Sequence, residues 1–129
     1  MAGVVAEVGP QVVGVQVGQR VVINPSLWCG HCEACIRGEH PLCDTFGILG
    51  EHAPGGAAEY VAVPARNILP IPDTLDFPEA AASPLVFVTA WRALMTQAQL
   101  RAGETILILG ASGGVASAAI QIARLAGAY

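Results

Sequence analysis

Charge is scarce in this chain of 129 residues: Asp, Glu, Lys and Arg make up 12% of it, against about 25% in typical soluble domains. Six Lys and Arg against ten Asp and Glu leave a net charge of -4, so no basic field exists to draw in nucleic acid or an anionic membrane. Neither partner is expected. The N-terminus, MAGVVAEVGP, lacks a basic start and carries Glu7 among its apolar residues; without a signal-peptide pattern it points to a reducing, cytoplasmic setting. Long apolar runs are also missing. Residues 105–123 come nearest, with nineteen uncharged positions, but they break at Gly110-Ala111-Ser112-Gly113-Gly114 and are diluted by Thr105, Ser112, Ser117 and Gln121. A strand, a glycine turn and a helix fit that stretch better than a membrane span.

Apolar residues, in contrast, make up 53% of the chain and mean hydropathy is +0.56. So little charge cannot cover a compact globule of this size, and the surface is expected to be completed by a homo-oligomeric partner or by further chain.

Cysteine is present in one place only. Cys29, Cys32, Cys35 and Cys43 follow the spacing C-x2-C-x2-C-x7-C, in which short gaps let thiolates converge on one soft cation and the long gap brings the fourth sulfur back to close a tetrahedron. This suits a structural zinc with no open position. Two disulfides are an alternative, disfavoured by the reducing setting. An iron–sulfur cluster is another, since ferredoxins begin C-x2-C-x2-C; there the fourth cysteine follows after three residues and precedes proline, whereas Cys43 precedes Asp44. Four unliganded thiols would be expected in apolar surroundings, and Gly30, His31, Glu33, Arg37, Gly38, Glu39 and His40 make this loop polar. His31 and His40 read as solvated loop residues.

Around this loop the first half reads as short strands: residues 3–8, residues 20–23 after the turn Gly18-Gln19, residues 60–63 after Gly55-Gly56, and Ile68-Leu69 leading into Pro70,. Together they predict part of an antiparallel barrel, with the loop at about 26–46 as an excursion that a metal would order. From Asp73 the pattern turns helical. Asp76 and Glu79 form a capping box with Pro78 in the first turn, and Ser83-Pro84 predicts the restart of a second helix. There Phe87, Trp91, Leu94 and Ala98, with Val88 and Met95 beside them, read as core. Residues 105–109 are a continuous apolar strand of the kind buried on both faces of a parallel sheet.

After that strand comes G-A-S-G-G-V-A, then a helix with Val115, Ala119, Ile122, Ala123 and Ala126 on one face and Ser117, Gln121 and Arg124 on the other. A tight turn with little side-chain bulk lets a pyrophosphate reach the amides and positive end of a helix. Against G-x-G-x-x-G the aligned residues are Ala111, Gly113 and Ala116, an imperfect match, and an ordinary strand-to-helix turn is the alternative.

The cysteine lobe, G-Q-R-V-V at residues 18–22, G-G-A-A-E-Y at 55–60, T-A-W at 89–91 and the glycine turn occur in one order. In that order the chain resembles the medium-chain dehydrogenase/reductase superfamily, the zinc-type alcohol dehydrogenases and their quinone reductase relatives. The resemblance implies a mixed α and β fold: a partial GroES-like antiparallel β-barrel with a zinc lobe over residues 1–80, then a linking helix and the first strand-turn-helix of a Rossmann domain over 81–129. It implies that Cys29, Cys32, Cys35 and Cys43 hold structural zinc. Gly110, Ser112, Gly113, Gly114 and Val115 would border the pyrophosphate and nicotinamide of NAD or NADP, and Thr89 would contact the nicotinamide ring. Gln19 stands where an aspartate is usual, and Ala116 where a final glycine is.

A third ligand for a catalytic zinc would fall on Leu85, which cannot bind metal. The family's Gly-His-Glu motif would precede Met1, and the second parallel strand, with its ribose-binding acid, would follow Tyr129. The chain is thus expected to be an internal part of an NAD(P)-dependent oxidoreductase acting on a small alcohol, carbonyl or enone, inactive by itself and with no catalytic residue to name. The alternative class is a non-enzymatic zinc module with a binding or assembly surface.

Overall fold

Glycine and proline interrupt the apolar runs of the first half every few residues, and the strands end where they fall. The computed structural model describes residues 1–129 and divides into two compact units, Met1–Ala81 and Ala82–Tyr129. In the first, β1 (Ala2–Val4), β2 (Arg20–Ile23) and β5 (Ile68–Pro70) form an antiparallel sheet in the order β1-β2-β5. Its register pairs Gly3 with Val21 and Val22 with Leu69. Val21, Val22 and Ile23 of the central strand are all buried, and Val22 packs with Ile71, Ala80, Ala2 and Phe77. A separate antiparallel pair, β3 (Ser26–Leu27) with β4 (Gly47–Ile48), closes the base of the cysteine loop.

The sheets are open and no barrel closes. The first predicted strand stops at Val4, although the Val5 amide still donates to Gln19 (3.0 Å) and that of Gly18 to Val5 (2.9 Å). Residues 60–63 form no strand. A groove of about 810 Å³ is lined by Met1, Gly3 and Val5 and by Tyr60, Val61 and Val63. Two connecting pieces of the cysteine loop are helical: α1 (Glu33–Ile36) and a 3-10 turn, His40–Leu42. The loop therefore has more local order than its aperiodic sequence predicts.

α2 (Phe77–Trp91) begins on the predicted capping box: the Glu79 amide donates to Asp76 Oδ1 (2.8 Å), and the Asp76 amide to Glu79 Oε2 (3.2 Å). It does not restart at Ser83-Pro84. One helix runs through Pro84, whose ring is buried. A proline removes one ladder bond and crowds the preceding turn, but here the cap before it and the buried Ala80 and Ala90 on either side hold the helix in one piece.

The helix then widens into a π turn, Arg92–Gln97, with the Ala98 amide bonded to the Ala93 carbonyl (3.0 Å). It ends at Gln99, in the left-handed region at φ 52°, where the Leu100 amide reaches back to the Leu94 carbonyl (2.9 Å).

In the second unit Ala90 and Leu94 pack against Ala118, Ala119, Ile122 and Ala123 of α3 (Gly114–Leu125), with Val86 and Met95 beside them. Of the stripe predicted as core, Leu94 and Met95 are in it, whereas Phe87, Val88, Trp91 and Ala98 are not. Val86, Ala90 and Leu94 face inward, while Phe87 and Trp91, about 100° around the helix, and Val88, on the far face, are exposed. On α3, Val115 is likewise exposed and Ala118 takes a buried place.

Residues 105–109 are extended but do not form a ladder along their length. Ile106 and Ile108 turn to the core, whereas Leu107 and Leu109 are 83% and 79% exposed. One face is covered, not two. A single rung is present: Tyr129 donates to the Glu104 carbonyl and accepts from the Ile106 amide, both at 2.8 Å, the pattern of a parallel pair. No helix is long and apolar enough to cross a membrane.

Candidate functional site

The first candidate centre is built on the β3–β4 base. Trp28 follows β3 directly, so Cys29 leaves the base in a fixed direction. Gly30 then takes φ +86°, a conformation L side chains rarely adopt, and this bends the chain so that the amides of His31 and Cys32 donate to Cys29 Sγ at 3.4 and 3.3 Å. α1 carries Cys35 inward, and the turn at His40–Leu42 returns Cys43, whose Sγ accepts from the Cys29 amide at 3.3 Å. All four sulfurs lie within 4.8 Å of one another, and Cys29 and Cys35 Sγ are 3.8 Å apart.

A tetrahedral ion with metal–sulfur bonds of about 2.3 Å requires sulfur–sulfur edges of about 3.8 Å, while a disulfide would need about 2.05 Å. The donor set fits zinc: four soft ligands, converging, with amide donors on their outer side. These amides also sort the thiols. The Cys29 N–H holds Cys43 down to about 6, and the Cys35 N–H lowers Cys32. Burial pushes Cys35 up to about 12. His31 is exposed, but His40 is not simply solvated: its ring stacks on Trp28 with centroids 4.5 Å apart.

The second candidate centre is in the other unit. Gly110 turns at φ +68°, the Gly113 amide bonds back to its carbonyl (2.9 Å), and Ser117 Oγ donates to the Ala111 carbonyl (3.2 Å). A Cβ on Gly113 would meet the Gly110 oxygen at 3.3 Å, and one on Gly114 would meet Val86 at 3.0 Å. The turn is thus a compact bend with no side-chain bulk at the head of α3. Gly110, Ser112, Gly113, Gly114 and Val115 are all exposed, and a helix start offers amides without intrahelical partners. Thr89 is exposed on α2 and donates its hydroxyl proton to the Leu85 carbonyl (2.8 Å). Leu85 itself is 51% exposed.

Residues 1–73 match the alcohol dehydrogenase GroES-like domain. The chain belongs to that family. Among curated relatives, an alcohol dehydrogenase of Geobacillus stearothermophilus is 40% identical over 127 residues, 97% of this chain and 37% of the relative. An L-threonine 3-dehydrogenase of Pyrococcus furiosus is 37% identical over 129 residues, 100% of this chain and 36% of the relative.

A crystal structure of an NAD-dependent alcohol dehydrogenase superposes with a TM-score of 0.96 at 51% identity, covering 98% of this chain and 37% of that one. A cobalt- and zinc-bound thermostable alcohol dehydrogenase from Pyrobaculum aerophilum gives 0.89 at 41%, covering 98% and 38%. The chain thus spans a little over a third of these alcohol dehydrogenase relatives' length. Sequence reasoning missed two features of this lobe, the Trp28–His40 stack and the bonds from the Arg66 and Asn67 side chains to the carbonyls of Trp28, Asn24 and Ser26, because nothing in local spacing links these positions.

Proposed function

We propose that this chain is part of an NAD(P)-dependent, zinc-binding oxidoreductase of the alcohol dehydrogenase type, which moves hydride to or from an alcohol, aldehyde, ketone or enone carbon of a small substrate. Residues 1–80 serve as part of its catalytic domain, with a zinc lobe at about 26–46. Residues 81–129 open its nucleotide-binding domain. Cys29, Cys32, Cys35 and Cys43 hold one structural zinc, while Gly110, Ser112, Gly113, Gly114 and Val115 receive the pyrophosphate of NAD or NADP. The observation that carries the reading is the bare, exposed glycine turn at the start of α3, in a chain whose relatives include NAD-dependent dehydrogenases.

When bound, the nicotinamide supplies the hydride chemistry. The chain's share is to bind and orient: the turn admits phosphate oxygens close to its backbone, and Ser117 holds it in shape through Ala111. Thr89, whose proton is committed to Leu85, offers a nicotinamide ring its methyl group and oxygen lone pairs. Leu85 has no donor for a catalytic metal. The protein works in the cytoplasm, its surface completed by a second copy or by further chain, without nucleic-acid or membrane partners; the net charge of -4 offers no basic field for either.

Ser112→Glu in the full-length protein tests the cofactor site, because a carboxylate at this exposed position repels pyrophosphate. The dissociation constant for NADH should rise at least about tenfold, or about 1.4 kcal/mol, with zinc content unchanged. An unaltered constant would remove the assignment.

A further inference from the structure

The 3-10 turn Ala65–Asn67 has no part in either centre as described, yet its two polar side chains reach back to the segment that delivers the first cysteine. Asn67 is wholly buried. Its Nδ2 donates to the carbonyls of Asn24 (2.7 Å) and Ser26 (2.5 Å), and its backbone carbonyl accepts from the Asn24 backbone amide (2.8 Å). Both side-chain partners are carbonyl oxygens, so only the amide nitrogen can face them. The Oδ1 atom is buried without a hydrogen-bond partner, a cost that a space-filling apolar residue would avoid. What this position needs is a pair of donors.

Arg66 continues the same edge. Its Nη2 donates to the Trp28 carbonyl, and its guanidinium lies over the Trp28 ring, 4.9 Å from the centroid. A Cβ on Gly30 would approach Arg66 Nη1 to 3.3 Å. The carbonyls of residues 24, 26 and 28 alternate along the chain, so they lie on one edge of an extended segment. Two side chains bind that edge where a further strand would otherwise pair, and Cys29 is the next residue along.

We infer that Arg66 and Asn67 are positioning residues of the metal centre: by bonding the carbonyls of residues 24, 26 and 28 they fix the direction from which Cys29 enters the sulfur tetrahedron. The inference rests on the reading of that tetrahedron as a zinc site. Outer partners of this kind orient metal ligands, and their loss costs about 10- to 100-fold in metal affinity.

The test compares zinc-loaded chains carrying Arg66→Ala, Arg66→Lys or Asn67→Asp with the parent and with Val21→Ala, which weakens the β1-β2-β5 sheet without touching the lobe. Zinc transfer to a chromophoric chelator should be about 10- to 100-fold faster in Arg66→Ala and Asn67→Asp, intermediate in Arg66→Lys and unchanged in Val21→Ala. The visible d–d bands of the cobalt-substituted Arg66→Ala and Asn67→Asp variants should shift, which a loss of stability alone would not cause. Parent-like release and spectra, or equal acceleration in Val21→Ala, would overturn the inference. A parent chain that binds no thiolate-held metal would defeat the zinc reading itself and this inference with it. Should Asn67→Asp not fold, the exposed Arg66 decides the question alone.

Discussion

Cys43 and Cys35 of the cysteine lobe do not hold their protons equally, and this has a measurable consequence for metal uptake. Cys43 is held down to about 6 by the Cys29 amide, whereas Cys35 is pushed up to about 12 by burial. In the metal-free lobe the depressed Cys43 thus contributes stability above its ordinary 9.0 that is lost as pH falls through about 6. Cys35, being raised, contributes below 9.0 and loses that as pH rises through about 12,.

Zinc requires thiolates and so competes with these protons. Near neutral pH, loading must strip the proton from Cys35 while Cys43 is already mostly ionised. Below about pH 6 Cys43 adds its own proton to the competition, so the plot of log Kd against pH should steepen by about one unit there. Zinc titrations from pH 5 to 7.5 check this, and a constant slope across that range counts against the assigned order of ionisation. Cys35→Ser removes one of four ligands from a site of the kind that contributes about 10 to 16 kcal/mol in small peptides. Amide spectra should show the lobe losing order while β1, β2 and β5 persist.

Among the elements, α2 begins on a capping box. Asp76→Ala deletes the acceptor for the Glu79 amide and should cost about 1 kcal/mol, seen as a lower thermal midpoint with reduced helical dichroism. Gln99 closes the following turn in a conformation that disfavours side chains. Gln99→Gly should therefore stabilise the second unit by up to about 1 kcal/mol, despite the greater freedom it gives the unfolded chain. A fall in midpoint would mean that the glutamine makes a compensating contact. The capping box was legible because both its residues lie within four positions. The passage through Pro84 was not, because the penalty of a proline is local while the burial that offsets it is tertiary.

For the whole molecule, much apolar surface is left uncovered. Leu107 and Leu109 stand on the open side of their extended segment, and Leu85, Val88 and Trp91 are all more than half exposed. An uncovered apolar edge is a template for association. The isolated chain should self-associate, and Leu107→Lys with Leu109→Glu should raise its monomer fraction in light scattering without loss of zinc. A monodisperse parent chain at high concentration would contradict this. The complete protein should contain one zinc per chain, since Leu85 has no metal-binding atom; two zincs, with turnover lost when the more labile one is removed, would show that Leu85 does not stand at a ligand position.

The sequence by itself determined those features whose cause is short-range. C-x2-C-x2-C-x7-C, with Gly30 to make the bend, made the cluster of four sulfurs within 4.8 Å legible, and Gly110, Gly113 and Gly114 did the same for the turn before α3. Strands β2 and β5 were legible from β-branched residues between turn signals. Tertiary structure decided the rest. A strand exists only if a neighbour takes its hydrogen bonds, so residues 60–63 fail and residues 105–109 keep a single rung at Tyr129. Which stripe of α2 is buried depends on where α3 lies, and that replaced Phe87 and Trp91 by Val86 and Ala90 beside the expected Leu94. The link from Arg66 and Asn67 to the carbonyls before Cys29 spans about forty residues, and only folding could bring those atoms together.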